Sequence, residues 1–192
     1  LDLPAREIEL AIAAALPGRI GKLVDIGTGT GSLLELLAER TEHALGLDAS
    51  REMLALARAR LTERGIADHC AVRQADMYRL PLADASQDVA TMQMVLHYAE
   101  EPAAAIAEAA RVLRADGVLL IVDLAQHQRA DITARHAHRW PGFDDGLMAQ
   151  WLDGAGCALR QSHEVPGTIA VRLWTAQRLL STVTTPEPAF QL

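Results

Sequence analysis

The chain of 192 residues is half hydrophobic, 22% charged and 4% aromatic, which excludes disordered and collagen-like classes and fits one globular domain burying about 70% of its unfolded surface. Eighteen basic residues against twenty-five acidic ones leave a formal charge of -7, so no sequence-independent grip on nucleic acid is expected of this domain. Cys70 and Cys157 form neither a disulfide framework nor a CxxC zinc pattern, and no apolar run approaches the roughly 18 residues of a spanning helix, so the expected setting is cytoplasmic with no membrane partner.

Pro4 opens a helix in which Ile8, Ala11, Ile12 and Ala15 recur at helical spacing before Pro17-Gly18 closes it. Leu1 stands where a start methionine would, and together with this immediate helix it reads as a piece cut from a longer polypeptide, although processing would give the same start. Residues 22–26 form a short apolar strand that runs into glycines, and Leu33, Leu34, Leu36 and Leu37 make the apolar stripe of a helix over 32–40. A second strand is predicted over 43–48, then a helix capped by Ser50 and running to Arg64. Strands over 70–74 and 88–95 follow, then a helix from Pro102 to Leu113 and an apolar strand over 118–123.

Beyond Asp123 a polar, histidine-bearing stretch reaches Phe143. Asp144 or Asp145 then caps a helix ending near Gly154 or Gly156, and strands over 158–165 and 169–176 turn at Pro166-Gly167. Alternating strands and helices predict an α/β fold: a Rossmann-like, doubly wound, mostly parallel sheet with a C-terminal antiparallel hairpin. One domain is expected over 1–180, with an N-terminal helix in 1–21, a core in 22–176 and a loosely held tail in 181–192.

Asp25-Ile26-Gly27-Thr28-Gly29-Thr30-Gly31 lies between a strand and a helix, where glycine lets backbone N–H groups approach a ligand. Ser32 breaks the GxGxxG dinucleotide pattern, and no Gly-Lys-Ser or Gly-Lys-Thr completes a phosphate loop. Such a run either binds a ligand or simply turns the chain. Asp48 favours the ligand, because it ends the second strand beside the glycines, where a carboxylate can accept hydrogen bonds from a ribose. Asp76, ending the third strand, repeats the arrangement and suits an adenine amino group.

These residues resemble class I S-adenosylmethionine-dependent methyltransferases. Asp25 to Gly31, Gly46-Leu47-Asp48-Ala49-Ser50 with Met53-Leu54, Ala75-Asp76-Met77, Leu80-Pro81, Asp88-Val89 and Arg111-Val112-Leu113 with Asp116-Gly117 stand in the family's order. More narrowly, Val95-Leu96-His97-Tyr98, Val122 to His127, Ala137-His138-Arg139 and Gly142-Phe143 are similar to the methyltransferase domain behind ArsR-type winged-helix domains in bacterial regulators. Gln126 and Trp140-Pro141 depart from that narrower pattern. The resemblance implies that Gly27, Thr28, Gly29 and Gly31 border the methionine portion of the cofactor, that Asp25 also belongs to the cofactor site, that Asp48 holds the ribose and that Asp76 meets the adenine amino group. It further implies that Met53 and Met77 flank the adenine, that Ala49 is a further cofactor-binding residue and that Gln93 lies near the sulfonium. The implied cofactor is S-adenosylmethionine, with S-adenosylhomocysteine as product.

Methyl transfer needs in-line placement of the acceptor, and a base only where the acceptor must lose a proton. His97 and His127, just beyond the fourth and fifth strands, are the candidate bases; the rival role for His97 is capping or packing the next helix. His127, His136 and His138 suit solvated loop positions better than a metal site, since no acidic or cysteine partner has ligand spacing, and no metal is expected. A small-molecule acceptor is the expected partner. The competing function is a sensor of S-adenosylmethionine or S-adenosylhomocysteine that biases a covalently linked N-terminal DNA-binding domain.

Overall fold

The computed structural model describes residues 3–129 and 138–180. Helix α1 (Ala5–Ala15) leads into β1 (Ile20–Ile26), α2 (Ser32–Leu37) and β2 (Thr41–Asp48); α3 (Arg51–Glu63), β3 (Cys70–Gln74), β4 (Gln87–Gln93) and α4 (Pro102–Val112) follow. The chain then forms β5 (Leu113–Leu124), α5 (Asp145–Gly154), β6 (Cys157–Val165) and β7 (Val171–Arg178). The strands make one sheet in the order β3-β2-β1-β4-β5-β7-β6, parallel from β3 to β5, with β7 antiparallel to both β5 and β6. The expected hairpin is therefore wound so that its second strand, β7, lies against β5 and its first forms the edge.

Alternation along the central strands divides the core between the two faces of the sheet. On β5, Leu119 and Ile121 join Ile106, Met148 and Trp174 in one cluster, while Leu120 and Val122 join Ile12 and Leu34 in the other. Each such fully buried side chain contributes about 1.5 to 3 kcal/mol of transfer free energy, so the sheet centre is rigid and its carboxyl edge is a fixed platform. The caps agree with the local chemistry: Ser50 Oγ accepts from Met53 N at 3.2 Å, and Asp144, rather than Asp145, caps α5 by accepting from Leu147 N at 2.8 Å.

Several boundaries shift by a few residues from the sequence expectation, and two of the shifts have a visible reason. Strand β4 stops at Gln93 instead of Val95 because Met94 takes a positive φ of 53° and turns the chain, while its N–H still bonds Val122 O at 2.7 Å. Strand β5 begins five residues early, at Leu113, because that residue pairs with Gln87 before a register shift restores the main ladder. Beyond β5, residues 138–143 lie against the strand ends rather than in a loose loop. His97 O accepts from Arg139 N and Trp140 N, Trp140 Nε1 donates to Ala99 O at 2.9 Å, and Phe143 N donates to Leu124 O at 3.0 Å. Trp140, Phe143 and Trp151 pack ring on ring with centroids 5.6 to 5.9 Å apart. The tail 181–192 lies outside the described residues.

Candidate active site

The carboxyl ends of β1, β2 and β4 converge where the sheet order reverses, the place at which open α/β sheets bind ligands. Gly27, Gly29 and Gly31 all have positive φ, at 75°, 53° and 76°, so this turn requires glycine at three alternate positions. The loop is fastened to β2: Gly27 N and Thr28 N both donate to Leu47 O, and Gly29 N donates to Asp48 Oδ2 at 2.8 Å. A Cβ placed on Gly27 would stand 2.5 Å from Val95 Cγ2, whereas one on Gly29 would meet no protein atom within 4 Å. Gly27 is thus closed over by the turn after β4, and Gly29 faces open space.

Asp48 is half-buried and already occupied by the backbone, with Ser50 N donating to its Oδ1 at 2.8 Å. It orders the glycine loop as well as offering its remaining lone pairs outward. A small cavity of about 80 Å³ lies here, lined by residues that include Gly27, Asp48, Ala49, Met77 and Val95. Through Ala49, Ala75 and Met77 it adjoins an open groove of about 500 Å³ bordered by Asp76, Tyr78, Tyr98, Glu100 and Arg139. Asp76 is exposed on the groove, where its Oδ1 accepts from Tyr78 N; Met53 is exposed on the first turn of α3, and Gln93 sits half-buried at the end of β4.

Two expected contacts are turned inward. Asp25 is 2% exposed and accepts the Thr91 hydroxyl at 2.7 Å, and burial lifts its pKa from the usual 3.8 to about 6. Its carboxylate therefore supports the loop from beneath. Thr28 is also buried, with its side chain pressed into the space that Gly46 on β2 leaves by lacking a Cβ.

The histidines are rearranged more thoroughly. His97 does not project freely from a strand end: it is 1% exposed, and its Nδ1 lies 2.6 Å from Asp123 Oδ1. Asp123, 0% exposed, also accepts from Leu96 N and Leu124 N. His138 is not a solvated loop residue but is buried with its ring centroid 4.3 Å from that of His97, while Tyr98, 47% exposed, stacks on His97 from the groove side at 4.1 Å. His127 turns back on its own segment, its Nδ1 accepting from Arg129 N. His136 lies outside the described residues, and among those described no three His, Cys, Asp or Glu side chains cluster as metal ligands. Sequence reasoning missed Asp123 as a site residue, although the signal was present: like Asp25 and Asp48, it is an acid near the carboxyl end of an apolar strand.

Residues 24–121, half of the chain, match a family model described as a methyltransferase domain. The chain belongs to that family. Its relatives include a phosphatidylethanolamine N-methyltransferase of Cereibacter sphaeroides, 32% identical over 122 residues that cover 64% of this chain and 60% of that protein. A ubiquinone biosynthesis O-methyltransferase of Hahella chejuensis is 31% identical over 157 residues, covering 74% and 64%. The methyltransferase domain thus spans less than two thirds of the length of these curated relatives. Among solved structures, the YcgJ protein of Bacillus subtilis superposes with a TM-score of 0.78 at 18% identity, over 92% of this chain and 99% of that one. The [4+2]-cyclase SpnF superposes with a TM-score of 0.80 at 20% identity, over 92% and 81%. These likenesses show the class I methyltransferase fold, and the cyclase among them shows that the fold alone does not set the reaction.

Proposed function

We propose that this domain transfers the methyl group of S-adenosylmethionine to a small organic acceptor and releases S-adenosylhomocysteine. The observation that carries this reading is the glycine loop: in a member of the methyltransferase family, Gly29 opens onto empty space while its N–H is fixed by Asp48. That open face suits a ligand lying close against the backbone, so the residues present fit the cofactor. Gly27, Gly29 and Gly31 would border its methionine portion, Asp48 would take the ribose hydroxyls, and Ala49, Met53, Asp76 and Met77 would hold the adenine. When bound, the cofactor supplies an electrophilic methyl carbon on a sulfonium.

The chain's own contribution is orientation and exclusion of water, which together can remove much of the barrier. Gln93, His97 and His127 stand at or beyond the ends of β4 and β5, the side assigned to the acceptor. The acidic balance and the few aromatic residues favour a small molecule over a nucleic acid. The reducing interior of a cell suits two buried free cysteines.

Calorimetry with S-adenosylhomocysteine tests the site, and S-adenosylhomocysteine release with a panel of small nucleophiles tests the reaction. Binding in the micromolar range and acceptor-dependent release are expected. Absence of binding removes the proposal. Binding without release by any nucleophile moves the domain to the sensory role read from its likeness to regulator-fused domains, for which the two cofactor forms must then differ in their effect on DNA affinity.

A further inference from the structure

Asp123 lies near the end of β5, fully enclosed, and uses its carboxylate purely as an acceptor. Leu96 N donates to Oδ2 at 2.9 Å; Leu124 N at 2.7 Å and His97 Nδ1 at 2.6 Å share Oδ1. Two of these bonds hold the backbone on either side of the site, the turn after β4 and the end of β5. The third fixes a ring. A carboxylate that accepts from Nδ1 requires the proton on that nitrogen, so the neutral imidazole has its lone pair on Nε2, at the opposite edge of the ring. This is the arrangement in which an aspartate makes a histidine a base: it selects the tautomer, holds the orientation and stabilises the imidazolium that forms.

The pair is enclosed but not remote. Among the described residues Tyr98 and His138 are the rings that cover His97, and Tyr98 borders the open groove that adjoins the glycine loop. With Tyr98 between it and the groove, the His97 ring is screened from bulk water. Among the described residues, the titratable groups facing it are Asp123 from β5, Tyr98 from its own turn and His138 from the segment laid across the strand ends.

Building on the methyl-transfer reading, we propose that Asp123 positions His97 as the base of the reaction, and that the acceptor is a weakly acidic hydroxyl, phenolic or enolic. The chemistry selects this class. A thiol with a pKa near 8.5 ionises appreciably without help, and a neutral amine attacks through its own lone pair and sheds a proton to water afterwards. A phenol with a pKa near 10 is protonated at neutral pH, yet lies within reach of an imidazole acting in concert with bond formation. In the balanced step the hydroxyl oxygen bonds the methyl carbon, and the carbon–sulfur bond breaks with its electron pair passing to sulfur. The hydroxyl proton passes to His97 Nε2, and the imidazolium is balanced by the Asp123 carboxylate.

The test uses the full chain and two readouts. Nitrogen-15 NMR of labelled histidines, with the His97 signals assigned by their loss in His97→Gln, reads the tautomer without any acceptor. The wild type is expected to carry the proton on Nδ1, and Asp123→Asn, whose amide can donate to that nitrogen, to shift it to Nε2. With a panel of phenols and enols, His97→Gln and Asp123→Asn are each expected to lower turnover by about a hundred- to ten-thousandfold while S-adenosylhomocysteine affinity changes less than about threefold. Asp123→Glu, which keeps the carboxylate, is expected to recover part of the rate. A wild-type proton on Nε2, full turnover in His97→Gln, or a preference for amines or thiols with no methylation of any hydroxyl overturns the inference. Because cofactor affinity is measured separately, such a failure leaves the methyl-transfer reading intact. If Asp123→Asn does not fold, the wild-type tautomer and His97→Gln decide alone.

Discussion

Replacing Asp25 by Asn is expected to stabilise the protein at neutral pH and to remove a specific pH dependence. Asp25 is 2% exposed and its folded pKa is about 6, raised chiefly by burial from the usual 3.8. Ionising it inside the protein is therefore less favourable than ionising it in the unfolded chain by about two pH units, or about 3 kcal/mol. Between these two values the folded state holds the proton that the unfolded state has released. The stability associated with the protonated form is complete below about pH 4 and is lost as the pH rises through about 6. Asn keeps an acceptor for the Thr91 hydroxyl and never charges, so it escapes the loss.

The assay is urea unfolding of wild type and Asp25→Asn at matched pH values from 4 to 7.5 without ligand. The quantity read is the difference in unfolding free energy. Asp88, Glu108 and Asp145 are held below the usual carboxylate range by their hydrogen bonds and arginine partners, so they weaken both proteins as the pH falls and cancel in that difference. The difference should grow by about 3 kcal/mol between pH 4 and 6.5 in favour of Asn and then remain level. A difference that stays flat across this range refutes the account of Asp25 as an unfavourably buried charge beneath the loop.

Asp48→Ala should weaken S-adenosylhomocysteine binding by roughly ten- to a hundredfold and also lower the melting temperature, because it frees Gly29 N and Ser50 N as well as removing a ligand contact; unchanged affinity by calorimetry takes Asp48 out of the site. Gly29→Val should abolish binding, since a β-branched residue opposes the φ of 53° and its branches enter the open space over the loop, and normal binding would mean that nothing docks there. Gly27→Ala should cost about 2 kcal/mol by overpacking against Val95, and the double variant with Val95→Ala should recover roughly half, leaving the cost of the positive φ; strictly additive losses in the cycle would show that the two loops are not coupled.

The alternation of apolar strands and amphipathic helices was legible along the chain, as were the glycine turn and the acids at 25, 48 and 76, because periodicity, caps and turn chemistry are properties of neighbouring residues. So was the family, whose motifs lie mostly in those turns. What neighbouring residues could not decide is where strand ends meet. Only pairing β4 with β5 in register places Gln93 beside Val122, and with them the next turn over Asp123, which converts a histidine read as facing a ligand into one half of a buried pair. Folding residues 138–143 across the same edge buries His138, which in sequence looks like any polar loop histidine. Asp25 and Asp48 carry the same local signal, an acid closing an apolar strand, yet one is sealed against Thr91 and the other half-exposed beside the loop. The two differ because Asp25 lies inside β1, paired between Gly46 of β2 and Thr91 of β4, while Asp48 is the last residue of β2, and burial of a carboxylate is set by what packs over it from elsewhere in the chain.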